Sequence, residues 1–388
     1  MSLPPEKAPQ PFAGLFVLEL ASVLAGPQVG QFFAELGATV LKIEAPAGDV
    51  TRTWKTPAET SDTDISAYFA ASNWGKQSVV LDLTTPPGRA SIRRLAARAD
   101  IVLASYKPGD AEKLGADFAT LSADNPRLIY GHLTGYGPDT NRAGYDAVLQ
   151  AETGFMHLNG PPGTEPLKMP VALMDLLAAH QLKEGLLTAL YQRAHTGRGV
   201  LVQVSLLDSA LASLANQAAT WLVTGHDPRP LGSGHPSIVP YGTVYRAADG
   251  RHLVLAVGSD RQFELLCAAL ARPEWASDPR FHTNAMRVTH RAGLEALLTH
   301  RIGEVNGEKL LQTLESRAVP AGAVRTVSEA LTSESAERMI LPPTPDFPHA
   351  GLRTVAFQSN TWKPVPALTG PSHLAQHQAE NGLPALIG

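Results

Sequence analysis

One acidic residue stands where a long helix is predicted to begin. Asp175 lies at the start of the apolar-periodic stretch Met174–Ala194, so its carboxylate is expected near the free N–H groups and positive dipole end of that helix. There the carboxylate would stay ionised at neutral pH, and adjacent amides could hold a developing oxyanion. A plain helix N-cap, worth about 1 kcal/mol, suits the same position. Taken alone, the position favours the cap and leaves a reactive carboxylate open.

Several common catalytic motifs are absent from the chain. The predicted turn after the first strand reads Leu24-Ala25-Gly26-Pro27, which is not the dinucleotide fingerprint, and Gly160 to Lys168 has the wrong spacing for a phosphate-binding P-loop. Neither a serine nucleophile elbow nor a zinc-protease helix motif occurs, and the histidines show no metal-ligand spacing. The sequence therefore argues against bound NAD, P-loop ATP chemistry, serine hydrolysis and a metal site.

Composition narrows the class of protein further. The chain has 388 residues, enough for two domains, and 32 basic against 36 acidic residues give a net charge of −4, which argues against nucleic acid as a partner. Cys267 is the only cysteine, so no disulfide framework forms and a reducing cytoplasm is expected. The first residues do not resemble a signal peptide, and no apolar run reaches the roughly 18 residues of a membrane span.

The elements that must position Asp175 follow an alternating pattern. Strand-like runs alternate with helical stretches through the first 135 or so residues, and a further strand follows the long helix, which predicts a parallel sheet with helices on both faces. Ligands of such sheets bind beyond the carboxyl ends of the strands. Leu206–Thr224 is predicted as one helix, and Asp249-Gly250 as the turn of a hairpin. The predicted strands are 15–20, 39–44, 78–83, 100–106, 127–133 and 200–205.

Several segments, taken together and in order, resemble the class III CoA-transferases, the group of formyl-CoA and carnitine CoA-transferases that also includes 2-methylacyl-CoA racemases. One segment alone would be weak support, but all of them occur in the family's order. They are 17–27, 35–44, Gly48-Asp49, 73–83, 106–109, 144–150, 194–199, 204–208 and 278–281.

The resemblance implies a fold and an assembly. A large Rossmann-like CoA-binding domain would comprise residues 1–224 completed by 325–388, with a linker and glycine-rich loop at 225–240 and a smaller α+β domain at 241–324. Two such chains would interlock as a homodimer. Acyl-CoA and a small carboxylic acid would be the substrates, with no tightly bound cofactor.

The resemblance also assigns Asp175 the role of nucleophile. It would form a mixed anhydride with the acyl group and then an aspartyl-CoA thioester, so transfer needs neither ATP nor metal. The racemase branch instead needs a histidine before Asp146, where this chain has Tyr145. A tyrosine hydroxyl, with an ordinary pKa of about 10, is a poor base at neutral pH. Transfer is therefore preferred, while racemisation and a non-catalytic acyl-CoA-binding protein remain alternatives.

Residue-by-residue carry-over from the family gives a set of expected CoA contacts. Leu24 stands where oxalate-specific relatives carry glutamine, which weakens an assignment to formyl or oxalyl transfer, and Ala45 replaces a frequent arginine. A mobile lid over the site is expected from Gly232, Ser233, Gly234 and His235, with an interdomain linker as the alternative. The expected CoA-binding residues are Leu24, Ala25, Asn73, Trp74, Gly75, Lys76, Ser105, Tyr106, Lys107, Lys113, Arg142, Tyr145 and Asp146.

Overall fold

The computed structural model describes residues 10–378, and its larger sheet has six strands. Their order is β3-β2-β1-β4-β5-β6, and every neighbouring pair is parallel. This is a doubly wound order, with a ligand crevice expected between β1 and β4, where the order reverses. The parallel α/β sheet predicted from the sequence is confirmed. The strands are β1 Phe16–Leu20, β2 Thr39–Glu44, β3 Lys76–Val80, β4 Ile101–Ala104, β5 Ile129–Thr134 and β6 Leu201–Ser205.

Helices cover both faces of this sheet, because the strands are apolar on both sides and each face must be shielded from water. Leu18, Leu41 and Val102 are fully buried within the core they form. The helices that precede the smaller sheet along the chain are α1 Ala25–Glu35, α2 Ala67–Ala70, α3 Pro86–Ala96, α4 Asp110–Lys113, α5 Phe118–Ser122, α6 Asp146–Glu152, α7 Phe155–Leu158, α8 Leu173–Thr196, α9 Leu206–Ala212 and α10 Ala215–Thr224.

The prediction of one helix over Leu206–Thr224 is wrong, because the chain breaks between α9 and α10. Ala215 has a left-handed φ of 45°, which no continuous helix accommodates. The hydroxyls of Ser209 and Ser213 donate to carbonyls four residues earlier, at 2.7 Å each, a pattern that bends helices.

A smaller antiparallel sheet has the order β7-β8-β9. Its first two strands form the predicted hairpin, whose turn contains Gly250 at a φ of +81°. Phe263, Leu298 and Leu314 belong to the core beneath it. The remaining elements are β7 Tyr241–Arg246, β8 His252–Ala256, α11 Asp260–Ala269, α12 Glu274–Ser277, α13 Asn284–Thr289, α14 Arg291–Gly303, α15 Gly307–Ser316, β9 Ala321–Ala323, α16 Val327–Leu331, β10 Ile340–Leu341 and β11 Gly351–Leu352, with 3-10 turns at Val50–Thr53 and Glu334–Met339.

The chain divides into two compact units. The first contains residues up to Thr153, Met169–Ala215 and the segment from Ser335 onward; the second contains Gly154–Lys168 and Asn216–Glu334. This division corrects the predicted boundaries, since residues 154–168, 216–224 and 325–334 group with the smaller unit. One physical reason is that the N–H of Gly232 donates to the carbonyl of Gly160 at 2.9 Å, which ties two distant segments together.

The C-terminal segment packs on the first unit. Buried Glu35 accepts hydrogen bonds from the backbone N–H and hydroxyl of Thr354, at 2.6 and 2.9 Å. Among residues 10–378, no helix has the length and apolarity needed to cross a membrane.

Candidate active site

Asp175 is the third residue of α8. This helix connects β5 to β6, and a crossover helix begins at the carboxyl edge of a parallel sheet, where ligands bind. Within the described part of the chain, the Asp175 carboxylate has neither a hydrogen-bond donor nor an ion-pair partner. The topology of the sheet therefore places a carboxylate whose charge has no partner at the edge where such sheets bind ligands.

The structure decides against the helix-cap interpretation of Asp175. The N-cap residue of α8 is Ala172, which has no capping side chain. The N–H of Met174 instead donates to Oδ1 of Asp146 at 2.9 Å, so a side chain from α6 caps this helix. Asp175 is thus not needed to complete the helix end.

The protonation state of Asp175 differs from the expected one. Burial, followed by the negative charge of Asp146, raises the pKa of Asp175 to about 7. Removal from water outweighs the helix dipole that was expected to keep the carboxylate ionised. Near neutral pH the group titrates, and its ionised form is a stronger base than an ordinary aspartate.

Tyr68 on α2 lies near the same group of carboxylates, and the sequence did not point to it. Burial, together with the charges of Asp175, Asp146 and Asp49, raises the pKa of Tyr68 to about 12. Its hydroxyl therefore stays protonated and can donate a hydrogen bond. Because α2 is one turn long and carries no motif, only the tertiary structure identifies this residue.

The loop after β1 holds a strained backbone. Val23 has a φ of 70°, which is costly for a β-branched residue, and such strain concentrates at functional sites. Its N–H donates to Asp49 at 3.2 Å, and the N–H of Ser22 donates to Oγ of Ser105 at 3.1 Å. Leu24 and Ala25 are buried at 8% and 2% exposure, which argues against their side chains contacting CoA directly.

A buried charge network lies beneath this loop. The ammonium of Lys42 contacts Glu19 at 3.0 Å, Asp49 at 3.1 Å and the carbonyl of Ala21 at 2.8 Å. The ammonium of Lys76 contacts Glu19 at 2.8 Å, the carbonyl of Pro27 at 2.8 Å and Oδ1 of Asn73 at 2.9 Å. The two lysines thereby fasten both sides of the loop to the sheet.

Three residues of the expected CoA-binding segment 73–76 lie inside the protein, which argues against their touching a nucleotide; they are Asn73, Trp74 and Lys76. The polar atoms of Lys76 and Asn73 are hydrogen-bonded within the buried charge network. Burial lowers the pKa of Lys76 to about 8. Gly75 has a φ of +72° and packs against Leu368. Trp74 is 1% exposed, with its ring 5.6 Å from that of Phe347, so its expected contact with CoA is corrected to core packing.

Other expected contacts remain accessible at the surface. Lys107 is exposed, and Lys113 is exposed but paired with Asp110 at 2.8 Å. Arg142 pairs with Glu152 and lies 4.4 Å from the ring centre of Tyr136. Tyr145 is 63% exposed. Tyr106 is partly buried, which raises the pKa of its hydroxyl to about 12.

The expected lid residues belong to the smaller unit. Gly232 has a φ of +64°, and Leu231 and Ser233 form an isolated bridge around it. The N–H of His235 donates to the carbonyl of Tyr241 at 2.9 Å, and Arg291 donates to the carbonyl of His235 at 2.7 Å. Hydrogen bonds therefore anchor this loop at both ends within its own unit.

No group of three or more His, Cys, Asp or Glu within residues 10–378 could hold a metal ion. The reactive features of the described chain are thus a basic carboxylate, a protonated phenol and a strained loop at the edge of the sheet.

Comparison with known proteins shows the family of this chain. The sequence profile of CoA-transferase family III matches residues 12–369. The chain is 38% identical over 387 residues to a succinate–glutarate CoA-transferase of Agrobacterium fabrum, covering 97% of this chain and 96% of that protein. It is 34% identical over 344 residues to an acetyl-CoA:oxalate CoA-transferase of Acetobacter aceti, covering 87% of each.

A solved structure has the same fold. The crystal structure of a CaiB/BaiF family protein from Brucella suis superposes with a TM-score of 0.84 at 39% identity, covering 95% of this chain and 97% of that one. The chain thus has the α/β fold of this CaiB/BaiF family protein, built on a doubly wound parallel sheet. The chain belongs to CoA-transferase family III, and it is an enzyme of the class III CoA-transferases.

Proposed function

We propose that this protein transfers CoA from an acyl-CoA to a small dicarboxylic acid through a covalent intermediate on Asp175. The observation that carries the proposal is the unpaired, basic carboxylate of Asp175 at the ligand edge of the sheet. Succinate and glutarate are the favoured acids, because the relative named for them is similar over nearly the whole chain.

The reaction proceeds in four balanced steps. An oxygen of ionised Asp175 attacks the thioester carbonyl, the carbon–sulfur bond breaks, and CoA thiolate leaves behind a mixed anhydride. The thiolate attacks the aspartyl carbonyl, which releases the donor acid and forms an aspartyl-CoA thioester. The acceptor carboxylate then attacks that thioester and expels the thiolate. Finally the thiolate attacks the acyl carbon of the new anhydride, which frees Asp175 and yields the new acyl-CoA.

This chain's own groups support those steps. Burial makes the Asp175 carboxylate a better nucleophile, while the protonated hydroxyl of Tyr68 is a candidate donor to a developing oxyanion. The amides of the loop after β1 and the side chains of Ser105 and Tyr106 would line the pantetheine path. Lys107, Lys113 and Arg142 would attract the phosphates as exposed cations.

Covalent capture tests the proposal. The protein is incubated with succinyl-CoA, treated with hydroxylamine or borohydride, digested and read by mass spectrometry. We expect modification at Asp175, and a fall in transfer of about 10³-fold or more in Asp175→Asn.

The matched control for this capture is Glu184→Gln, an exposed acid on the same helix, which should keep both adduct and activity. Active transfer without an adduct on Asp175 would refute the mechanism. Exchange of an α-proton with deuterated water in the absence of transfer would instead favour racemisation.

We also propose that the loop Gly232–His235 shields the anhydride from water. Alanine at Gly232 would be strained at its φ of +64°, and at Gly234 a Cβ would lie 3.3 Å from the carbonyl oxygen of Leu231. The double variant Gly232→Ala with Gly234→Ala should raise thioester hydrolysis relative to transfer several-fold. Gly293→Ala, where a Cβ meets open space, is the control. An unchanged hydrolysis-to-transfer ratio would exclude a shielding role.

An interlocked homodimer in the cytoplasm completes the proposal. Its support is the family membership and the single, buried cysteine, which suits a reducing compartment. Sedimentation of the purified protein tests the dimer, and a monomer at micromolar concentration would contradict it.

A further inference from the structure

The segment Tyr145–Gln150, which carried part of the family resemblance, folds into α6. Asp146 is the first residue of this helix, and Gln150 lies one turn later on the same face. The amide Nε2 of Gln150 donates to Oδ2 of Asp146 at 2.9 Å. Gln150 is 1% exposed, so this pair is held in place by its surroundings.

Together the two side chains bind the segment that leads into α8. Gln150 Oε1 accepts the N–H of Met169 at 2.8 Å, and its Nε2 lies 3.3 Å from the carbonyls of Met169 and Val171. Asp146 Oδ1 accepts the N–H of Met174 at 2.9 Å. The segment is thus fastened at both ends, and its last bonded residue immediately precedes Asp175.

Asp146 also acts on Asp175 by its charge. Within residues 10–378, burial has the larger effect on the pKa of Asp175, and Asp146 is the only charged group that adds to the increase. No other charge in the described residues has a resolved effect on the pKa of Asp175. The helices packed against α8 carry Glu35 on α1, Glu152 on α6 and Asp208 on α9, while β5 places Gly131 against α8, so that Tyr130 and His132 lie on the other face of the sheet. Tyr68 on α2 is affected by the charges of both Asp175 and Asp146.

We propose that Asp146 and Gln150 are positioning residues, which hold the start of α8 so that the Asp175 carboxylate keeps one orientation, and that the charge of Asp146 strengthens it as a nucleophile. This inference rests on the proposed function of Asp175. It assigns to the segment Tyr145–Gln150 a task different from the expected contact with CoA.

The test compares variants by their pH profiles for transfer from succinyl-CoA to glutarate. Asp146→Asn removes the charge but keeps an oxygen for the Met174 N–H, so the acidic limb of kcat/KM should move down by about one pH unit. Asp146→Glu keeps the charge and shifts the geometry, so the limb should stay while kcat falls about 10-fold. Gln150→Ala should lower kcat about 10-fold at unchanged KM, again without moving the limb.

Glu184→Gln, which removes an exposed charge from α8, is the control and should reproduce the wild-type profile. An unmoved limb in Asp146→Asn, or an unchanged kcat in both Asp146→Glu and Gln150→Ala, would overturn the inference. Should Asp146→Asn fail to fold, Asp146→Glu and Gln150→Ala decide the positioning role between them. Covalent capture on the wild-type enzyme tells failure of the proposed function apart from failure of this inference. An adduct at Asp175 combined with unaltered variant kinetics refutes only the positioning role.

Discussion

Two clusters of acids lie near the ligand edge of the sheet, one buried around Lys42 and one partly buried at Asp146 and Asp175, and their charges are compensated to opposite extents. Burial opposes the charge on Asp49, but Lys42 and the hydrogen bonds of Thr51 outweigh it, so the pKa of Asp49 is lowered. Asp175 is partly buried beside another carboxylate and has no cation partner in the described part of the chain, so its pKa rises to about 7. A buried charge that is neutralised by a partner, as at Asp49, contributes a rigid support, while a charge without such a partner, as at Asp175, remains reactive.

Breaking the compensated cluster around Lys42 should lower the free energy of unfolding more than breaking an exposed ion pair. In Lys42→Met, Glu19 and Asp49 both lose a contact near 3 Å, and the free energy of unfolding should fall by about 3 kcal/mol or more. Urea denaturation at pH 7 measures it. Arg93→Met breaks a pair with Asp124 whose side chains are half exposed, and it should cost less than about 1 kcal/mol. Similar losses in both variants would contradict the contrast.

Removing the charge of the uncompensated Asp175 carboxylate should instead raise the free energy of unfolding. Because the folded-state pKa of Asp175 is raised, ionisation destabilises the folded protein increasingly as pH rises from about 4 to about 7, and by a constant amount above that. Asp175→Asn should therefore stabilise the protein by up to about 4 kcal/mol at pH 8, with the gain vanishing toward pH 4. Denaturant titrations at several pH values test this. A gain that does not depend on pH would show that the charge is not the cause.

The smallest expected effect concerns the strained loop that the compensated cluster fastens. At the left-handed φ of Val23, glycine is less strained than alanine, so Val23→Gly should be more stable than Val23→Ala by about 1 kcal/mol. At positions with an ordinary negative φ, the alanine variant is the more stable of the two. Thermal unfolding of the two variants measures the difference, and alanine being the more stable would mean that the loop relaxes without cost.

The parallel sheet and the hairpin were predictable from the sequence because both depend on local residue patterns. Short apolar runs and glycine stops marked the strands of the parallel sheet, and Asp249-Gly250 marked the hairpin. The break between α9 and α10 was missed, because the apolar pattern continues through Leu214 and Ala215 while the backbone reverses. Residues 154–168 were assigned to the wrong unit because their partner lies some seventy residues later in the chain, at Gly232.

The sequence by itself determined the sheet, through local periodicity, and the family, through the order of its motifs, and the resemblance to that family singled out Asp175. Only the tertiary structure decided which charges are neutralised. It buried Lys76 and Trp74, which had been expected to meet CoA, and it brought Tyr68 and Asp146 close to Asp175. Proton affinity depends on distance and on access to water, and both arise only when segments far apart in the chain pack together.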